Sequence, residues 1–177
     1  MIDPQRLIQK ITLAFGKVPY PGDDNLTDST YGEESDALIR DFTGKTNWQE
    51  LSPEFLDQAP ESWNRALSFF SGAALQFYLP AYLIADIKGQ LFDADPTVRL
   101  CISLTPLGGM QKIAKVWGGG TMGDYARRDF EPYNAPQVQA IVDYLWWRLE
   151  SDETGGDIII EQALENYWLE RLEPTDG

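Results

Sequence analysis

The sequence predicts a mainly α fold, an α+β domain with about six helices and one minor two-stranded β-hairpin at 97–117. Three observations predict it. Apolar residues recur at helical spacing along most of the chain, beginning with Leu7, Ile8, Ile11, Ala14 and Phe15. A proline or a small polar capping residue stands where such stripes begin, at Asp3-Pro4, Ser52-Pro53, Ser71 and Asn134. One stretch alternates with period two instead, with Val98, Leu100, Ile102 and Leu104 against Arg99, Cys101 and Ser103. At 177 residues and 43% hydrophobic content the chain suits a single globular domain over 1–177.

The elements follow in order. Asp3 as cap and Pro4 at the first helical position open a helix that Gly16 ends. VPYPGDDN (18–25) is a turn-rich connection. A helix from about Glu33 to Phe42 turns Leu38, Ile39 and Phe42 inward, with Gly44 as its stop. Ser52-Pro53 begins a short helix carrying Phe55 and Leu56, which Pro60 closes. Residues 63–88 are the most apolar and aromatic stretch. Trp63, Leu67 and Phe70 share one helical face there, Ser71 caps a new start, and Pro80 forces a kink or restart before Gly89. That stretch is too short, and too interrupted by Gln76, Pro80 and Asp86, for the roughly 20 apolar residues of a membrane span.

The period-two run is read as the first hairpin strand and Ile113 to Trp117 as the returning one. GGGTMGD (118–124) reads as the most flexible stretch, followed by Arg127, Arg128 and an extended segment to Pro132. Asn134 caps a helix over 136–150 with Val138, Ile141, Val142, Leu145 and Leu149 inward. Asp157 caps a last helix that buries Ile160, Leu164, Tyr167 and Trp168 and leaves Glu161 and Glu165 outside.

Composition excludes much chemistry. With no histidine and the single cysteine Cys101, histidine-based triads and transition-metal sites lack their residues, and an intramolecular disulfide cannot form. No cofactor, metal or catalytic residue is expected. The N-terminal MIDPQRLIQK lacks a signal-peptide pattern, so a cytoplasmic setting is expected. The net charge of −14 is uneven: 11 acids against 5 bases in residues 1–60, 4 against 5 in 61–120, and 13 against 4 in 121–177. Such a field disfavours nucleic acid and anionic membranes and attracts a basic partner.

Three segments carry a resemblance: AFGKVPYPGDDN (14–25), ALSFFSGAALQFYLPAYL (66–83) behind Trp63, and APQVQAIVDYLWW (135–147). Together they resemble a family of short acidic bacterial proteins of unknown function, similar in character to immunity and antitoxin-type proteins. The resemblance covers about two-thirds of the chain and implies no catalytic residues.

GGGTMG with Arg127 and Arg128 nearby suggests a phosphate loop, but neither the Walker nor the Rossmann spacing is present, and a connector is the simpler reading. Asp23-Asp24, Glu33-Glu34-Asp36 and Asp152-Glu153 lack the spacing of a calcium loop. The expectation is therefore a non-enzymatic, cytosolic, protein-binding inhibitor whose acids engage a basic protein. Asp152, Glu153, Asp157, Glu161 and Glu165 are its partner-binding residues. The alternatives are an acidic nucleic-acid mimic and a histidine-free carboxylate hydrolase. Homodimerisation through the aromatic excess is compatible with all three.

Overall fold

Local caps start most of the long helices of this chain. The structure is a computed structural model and describes residues 1–29, 32–58, 65–152 and 157–172. Among those residues are ten α-helices and no strand: α1 (Pro4–Phe15), α2 (Glu33–Phe42), α3 (Pro53–Gln58), α4 (Arg65–Phe69), α5 (Gly72–Ile87), α6 (Pro96–Cys101), α7 (Pro106–Gly109), α8 (Met122–Phe130), α9 (Ala135–Ser151) and α10 (Ile158–Ala163). They fall into two compact units, a central one (Phe15–Pro96) and a terminal one (Met1–Ala14 with Thr97–Gly177). No described helix is long and apolar enough to cross a membrane.

In the central unit, Ser71 Oγ accepts the Ala74 N–H at 3.0 Å and starts α5, as a serine cap does. The same hydroxyl donates to the Asn25 carbonyl, fixing the 23–25 turn to the head of the helix. The helix runs unbroken through Pro80, where the sequence suggested a kink or restart. It is buried almost all round, and a helix of that kind belongs in a core. Tyr78, Tyr82, Leu75, Leu79 and Leu83 are fully enclosed. The Phe42 ring lies 5.0 Å from Phe55, 4.9 Å from Phe70 and 5.0 Å from Tyr78, and most of these rings meet edge to face. Ile39, expected inward, is exposed, and Ser35 takes a buried place on α2 instead. The expected roles of Trp63 and Pro60 lie outside the described residues.

In the terminal unit, Asp3 Oδ1 accepts the Gln5 N–H at 2.8 Å at the head of α1. Asn134 and Gln137 exchange side-chain and backbone bonds in a capping box at the head of α9. Val138, Ile141, Val142 and Leu145 face the core as the spacing requires. Lys10 pairs with Asp143, tying α1 to α9. After α10, residues Leu164–Trp168 form a π-helical turn in which the Leu169 N–H reaches the Leu164 carbonyl at 3.0 Å. Leu164, Tyr167 and Trp168 are all buried, and the Trp168 indole donates to the Leu100 carbonyl at 3.0 Å.

The fold class read from the sequence is corrected here: the described residues are all-helical, with ten α-helices rather than about six, and the hairpin at 97–117 does not form. Residues 96–104 form α6 and a 3₁₀ turn instead. The reason is visible in the burial. Thr97, Leu100, Cys101 and Leu104 are buried at positions i, i+3, i+4 and i+7, whereas Val98 and Ile102 are exposed. The alternating apolar residues therefore belong to two different faces of a helix. The expected returning strand is a 3₁₀ turn at Lys115–Trp117, and only an isolated bridge, Lys112 with Thr121, has strand character there. The extended segment expected before Pro132 is α8, started by a capping box between Thr121 and Asp124 that the glycine run had obscured.

Candidate functional site

The five acids expected to bind a partner do not share one role. Glu161 and Glu165 are exposed, one turn apart along α10 and the π turn. Asp157 is spent as the cap of α10, accepting the Ile159 N–H at 3.0 Å. Asp152 is the half-buried C-terminal residue after α9, and Glu153 lies outside the described residues.

A second surface was not anticipated. Residues 107–122 expose Leu107, Met110, Val116, Trp117 and Met122, with Leu107 80%, Val116 81% and Trp117 62% accessible. Lys112 and Lys115 stand among them, also exposed. This arm is built rather than loose. The Ile113 N–H donates to the Gly120 carbonyl at 2.9 Å and the Met122 N–H to the Gln111 carbonyl at 2.8 Å. Tyr125 on α8 donates its hydroxyl to the Trp117 carbonyl at 3.0 Å. Gly118 is demanded at this point, because its φ is +103° and a Cβ would lie 2.4 Å from the Tyr125 hydroxyl.

Beside the arm, α7, α8 and the π turn enclose a groove with two lobes of about 360 Å³ and 600 Å³ that share Asp124 and Arg127. The smaller lobe adds Ser103, Thr105, Thr121 and Asn166. The larger adds Arg128, Glu131, Tyr167 and Arg171. Arg127 stacks 5.0 Å from the Tyr167 ring and donates to the Asn166 carbonyl at 3.2 Å. Among the described residues it has no carboxylate partner. Arg171 instead holds the backbone together. Its guanidinium donates to the carbonyls of Phe130, Glu131 and Tyr133, securing the end of α8. Burial pushes the Tyr167 phenol up, against the pull of Arg171 and Arg127 beside it. Below, Arg99 and Asp129 form an ion pair at 2.7 Å, with Arg99 over the Phe130 ring.

The polar groups of the central unit are mostly satisfied internally. Asp57 Oδ1 accepts the N–H groups of Phe92, Asp93 and Ala94, each at 2.9 Å. Burial opposes its charge, but the three donors outweigh that and hold the carboxyl below its ordinary range. Asp23 accepts from the Tyr20 hydroxyl and from the Gly44 N–H, and these bonds likewise lower its pKa. Burial and that carboxylate push the Tyr20 phenol up to about 12. Tyr78 donates to the Lys45 carbonyl at 2.7 Å. The motif segments 14–25 and 66–83 thus meet through Tyr20, Asp23, Phe77 and Tyr78, Tyr20 lying edge-on to Phe77 at 5.4 Å. No three His, Cys, Asp or Glu side chains among the described residues converge as a metal-holding group.

The fold and surfaces define an all-helical protein with an apolar arm and a charged groove on its terminal unit. The chain belongs to a family of unknown function, DUF6714, whose model matches residues 4–172. No curated protein and no solved structure matches it. The resemblance read from the motifs is shown at that level, as membership of a family of unknown function.

Sequence reasoning missed the arm, because Val116 and Trp117 were assigned to the returning strand of a hairpin. It noted Arg127 only as an adjunct to a phosphate loop. The available signal was T-x-x-D at Thr121 and Asp124, a capping box that starts a helix and places Arg127 one turn further along the same face.

Proposed function

We propose that the protein acts in the cytoplasm by binding another protein, a basic one, as an immunity or antitoxin-type inhibitor does. The observation that carries this reading is the arm. Five large apolar side chains exposed within residues 107–122 form the kind of surface that marks a protein contact. Trp117, held in place through its carbonyl, has the character of an interface anchor. The net charge of −14, with Glu161 and Glu165 facing solvent, would steer a cationic partner and raise its association rate at low salt.

The test is recovery of a basic protein from host lysate, followed by kinetics with the purified pair. Trp117→Ala is expected to weaken the complex by about 2 kcal/mol, roughly thirtyfold, mainly through faster dissociation. Glu161→Gln with Glu165→Gln is expected to slow association and flatten its salt dependence. Unchanged affinity in Trp117→Ala removes the arm from the reading. An association rate indifferent to salt removes the electrostatic part.

A further inference from the structure

The smaller lobe of the groove has features that the protein-binding reading does not use. Asp124 and Arg127 are three residues apart on α8, so they project from one helical face about one turn apart. Both line the lobe, yet they do not pair with each other. Asp124 spends Oδ2 on the Thr121 N–H (3.1 Å) and hydroxyl (2.8 Å), leaving Oδ1 without a partner among the described residues. Arg127 has five N–H donors, and one bond to the Asn166 carbonyl uses only one of them.

Ser103 supplies an independent observation. The residue is only 8% exposed and lines the same lobe, and its hydroxyl makes no hydrogen bond within the described protein. Unlike the fully enclosed hydroxyls of Ser35 and Tyr82, this one is reached from the lobe, so it is available to bond a polar group there. The lobe thus offers one cationic donor fork, one anionic acceptor and one hydroxyl open to its interior. Two opposite charges on one wall disfavour a plain anion, which the Asp124 carboxylate would repel, and equally a plain cation, which Arg127 would repel.

We infer that this lobe binds a small zwitterion of the free α-amino-acid class. The ligand carboxylate lies on the Arg127 guanidinium, its ammonium on Asp124 Oδ1, and the Ser103 hydroxyl bonds a ligand polar group at the inner wall. A volume of about 360 Å³ lies at the lower end of small-molecule sites, as suits such a ligand.

The experiment is calorimetric titration of the full chain with each proteinogenic α-amino acid. For any that binds, the titration is repeated with the matching hydroxy acid, which lacks the ammonium, and the matching amine, which lacks the carboxylate. Inorganic phosphate is titrated in parallel. At least one amino acid is expected to bind, with both single-charge analogues weaker by about tenfold or more, the loss expected when a charged hydrogen bond goes unmade. Arg127→Gln and Asp124→Asn are each expected to lose a similar factor, and Ser103→Ala about three- to tenfold. Melting temperatures and circular dichroism show whether each variant keeps the fold, and Ser103→Ala tests the lobe without touching the Asp124 cap. Binding of no amino acid, equal binding of an analogue, binding of phosphate alone, or affinity unchanged in folded Arg127→Gln and Ser103→Ala would each overturn the assignment.

Discussion

The two units treat polar and apolar groups differently. In the central unit, aromatic rings pack on one another around α5, and the ionised side chains of Asp57 and Asp23 are matched by backbone N–H groups a short distance away. Its notable exceptions are the exposed Phe92 and the buried hydroxyls of Ser35 and Tyr82, which find no partner among the described residues. In the terminal unit, large apolar side chains stand in solvent along 107–122, and Arg127 has no carboxylate partner among the described residues. An exposed guanidinium is satisfied by water, but a contiguous exposed apolar patch marks a contact site. Both units have a buried core, and the difference lies in the arm and groove of the terminal unit, on which the proposed binding rests.

The largest expected effect breaks the comparison at its centre. Phe42→Ala removes a fully buried ring that touches three others, and urea unfolding is expected to show a loss of about 3–5 kcal/mol. Trp117→Ala, equally a large aromatic truncation, is expected to change stability by no more than about 0.5 kcal/mol, because its ring is in water. Comparable losses in the two variants would mean that the arm is part of the folded core.

Next in size is a backbone contact of the terminal unit. A Cβ on Gly108 would lie 1.9 Å from the Ile102 carbonyl oxygen, which no rotation of a side chain relieves. Gly108→Ala is expected to cost about 1–3 kcal/mol in thermal unfolding, the usual range for overpacking. Full stability in that variant would show that the turn joining α6 to α7 can shift, and the groove wall with it.

The smallest effect concerns pH. Because the folded carboxyl of Asp57 ionises more readily than an unfolded one, its contribution to stability is complete above the ordinary value of 3.8. It is lost as pH falls through the lower folded value. Asp57→Asn replaces a charged acceptor by a neutral one and is expected to cost about 1 kcal/mol at neutral pH. The variant should also show a shallower decline in acid, measured by urea midpoints across that range. An acid decline as steep as that of the wild type would assign it to other carboxylates.

Much of the fold was legible in the sequence where stripe and cap agreed. The stripes of α1 and α9 and the Ser71 start of α5 follow from their caps and spacing, whereas α2, which no side chain caps, exposes the Ile39 read as inward. The failures occurred where two periods fitted the same residues. Val98, Leu100, Ile102 and Leu104 alternate, but Thr97 and Cys101 complete a helical stripe with Leu100 and Leu104, and Pro96 can begin a helix as its first residue. The three glycines at 118–120 hid the capping box behind them. Of the five acids read as a charged surface, Glu161 and Glu165 are exposed as expected. Asp157 was read as the cap of the last helix and is one, so the carboxylate also assigned to partner binding is already bonded to the Ile159 N–H. The groove could not be read at all: Ser103, Asp124 and Asn166 are distant in sequence, and only α7, α8 and the π turn bring them together.

The π turn at 164–168 holds one residue more than an α-helical turn would, so everything beyond it is rotated by about 100° from where a regular helix would place it. Chain length here acts as an angular setting. A single-residue insertion in a surface loop is absorbed by slack, but here one residue gained or lost swings the indole of Trp168 away from the Leu100 carbonyl and moves Asn166 and Tyr167 around the helix axis. By this geometry the five-residue segment is expected to tolerate substitution of its outward Glu165 and to resist a change in the number of its residues. Within a lineage, its length would be inherited more strictly than its letters.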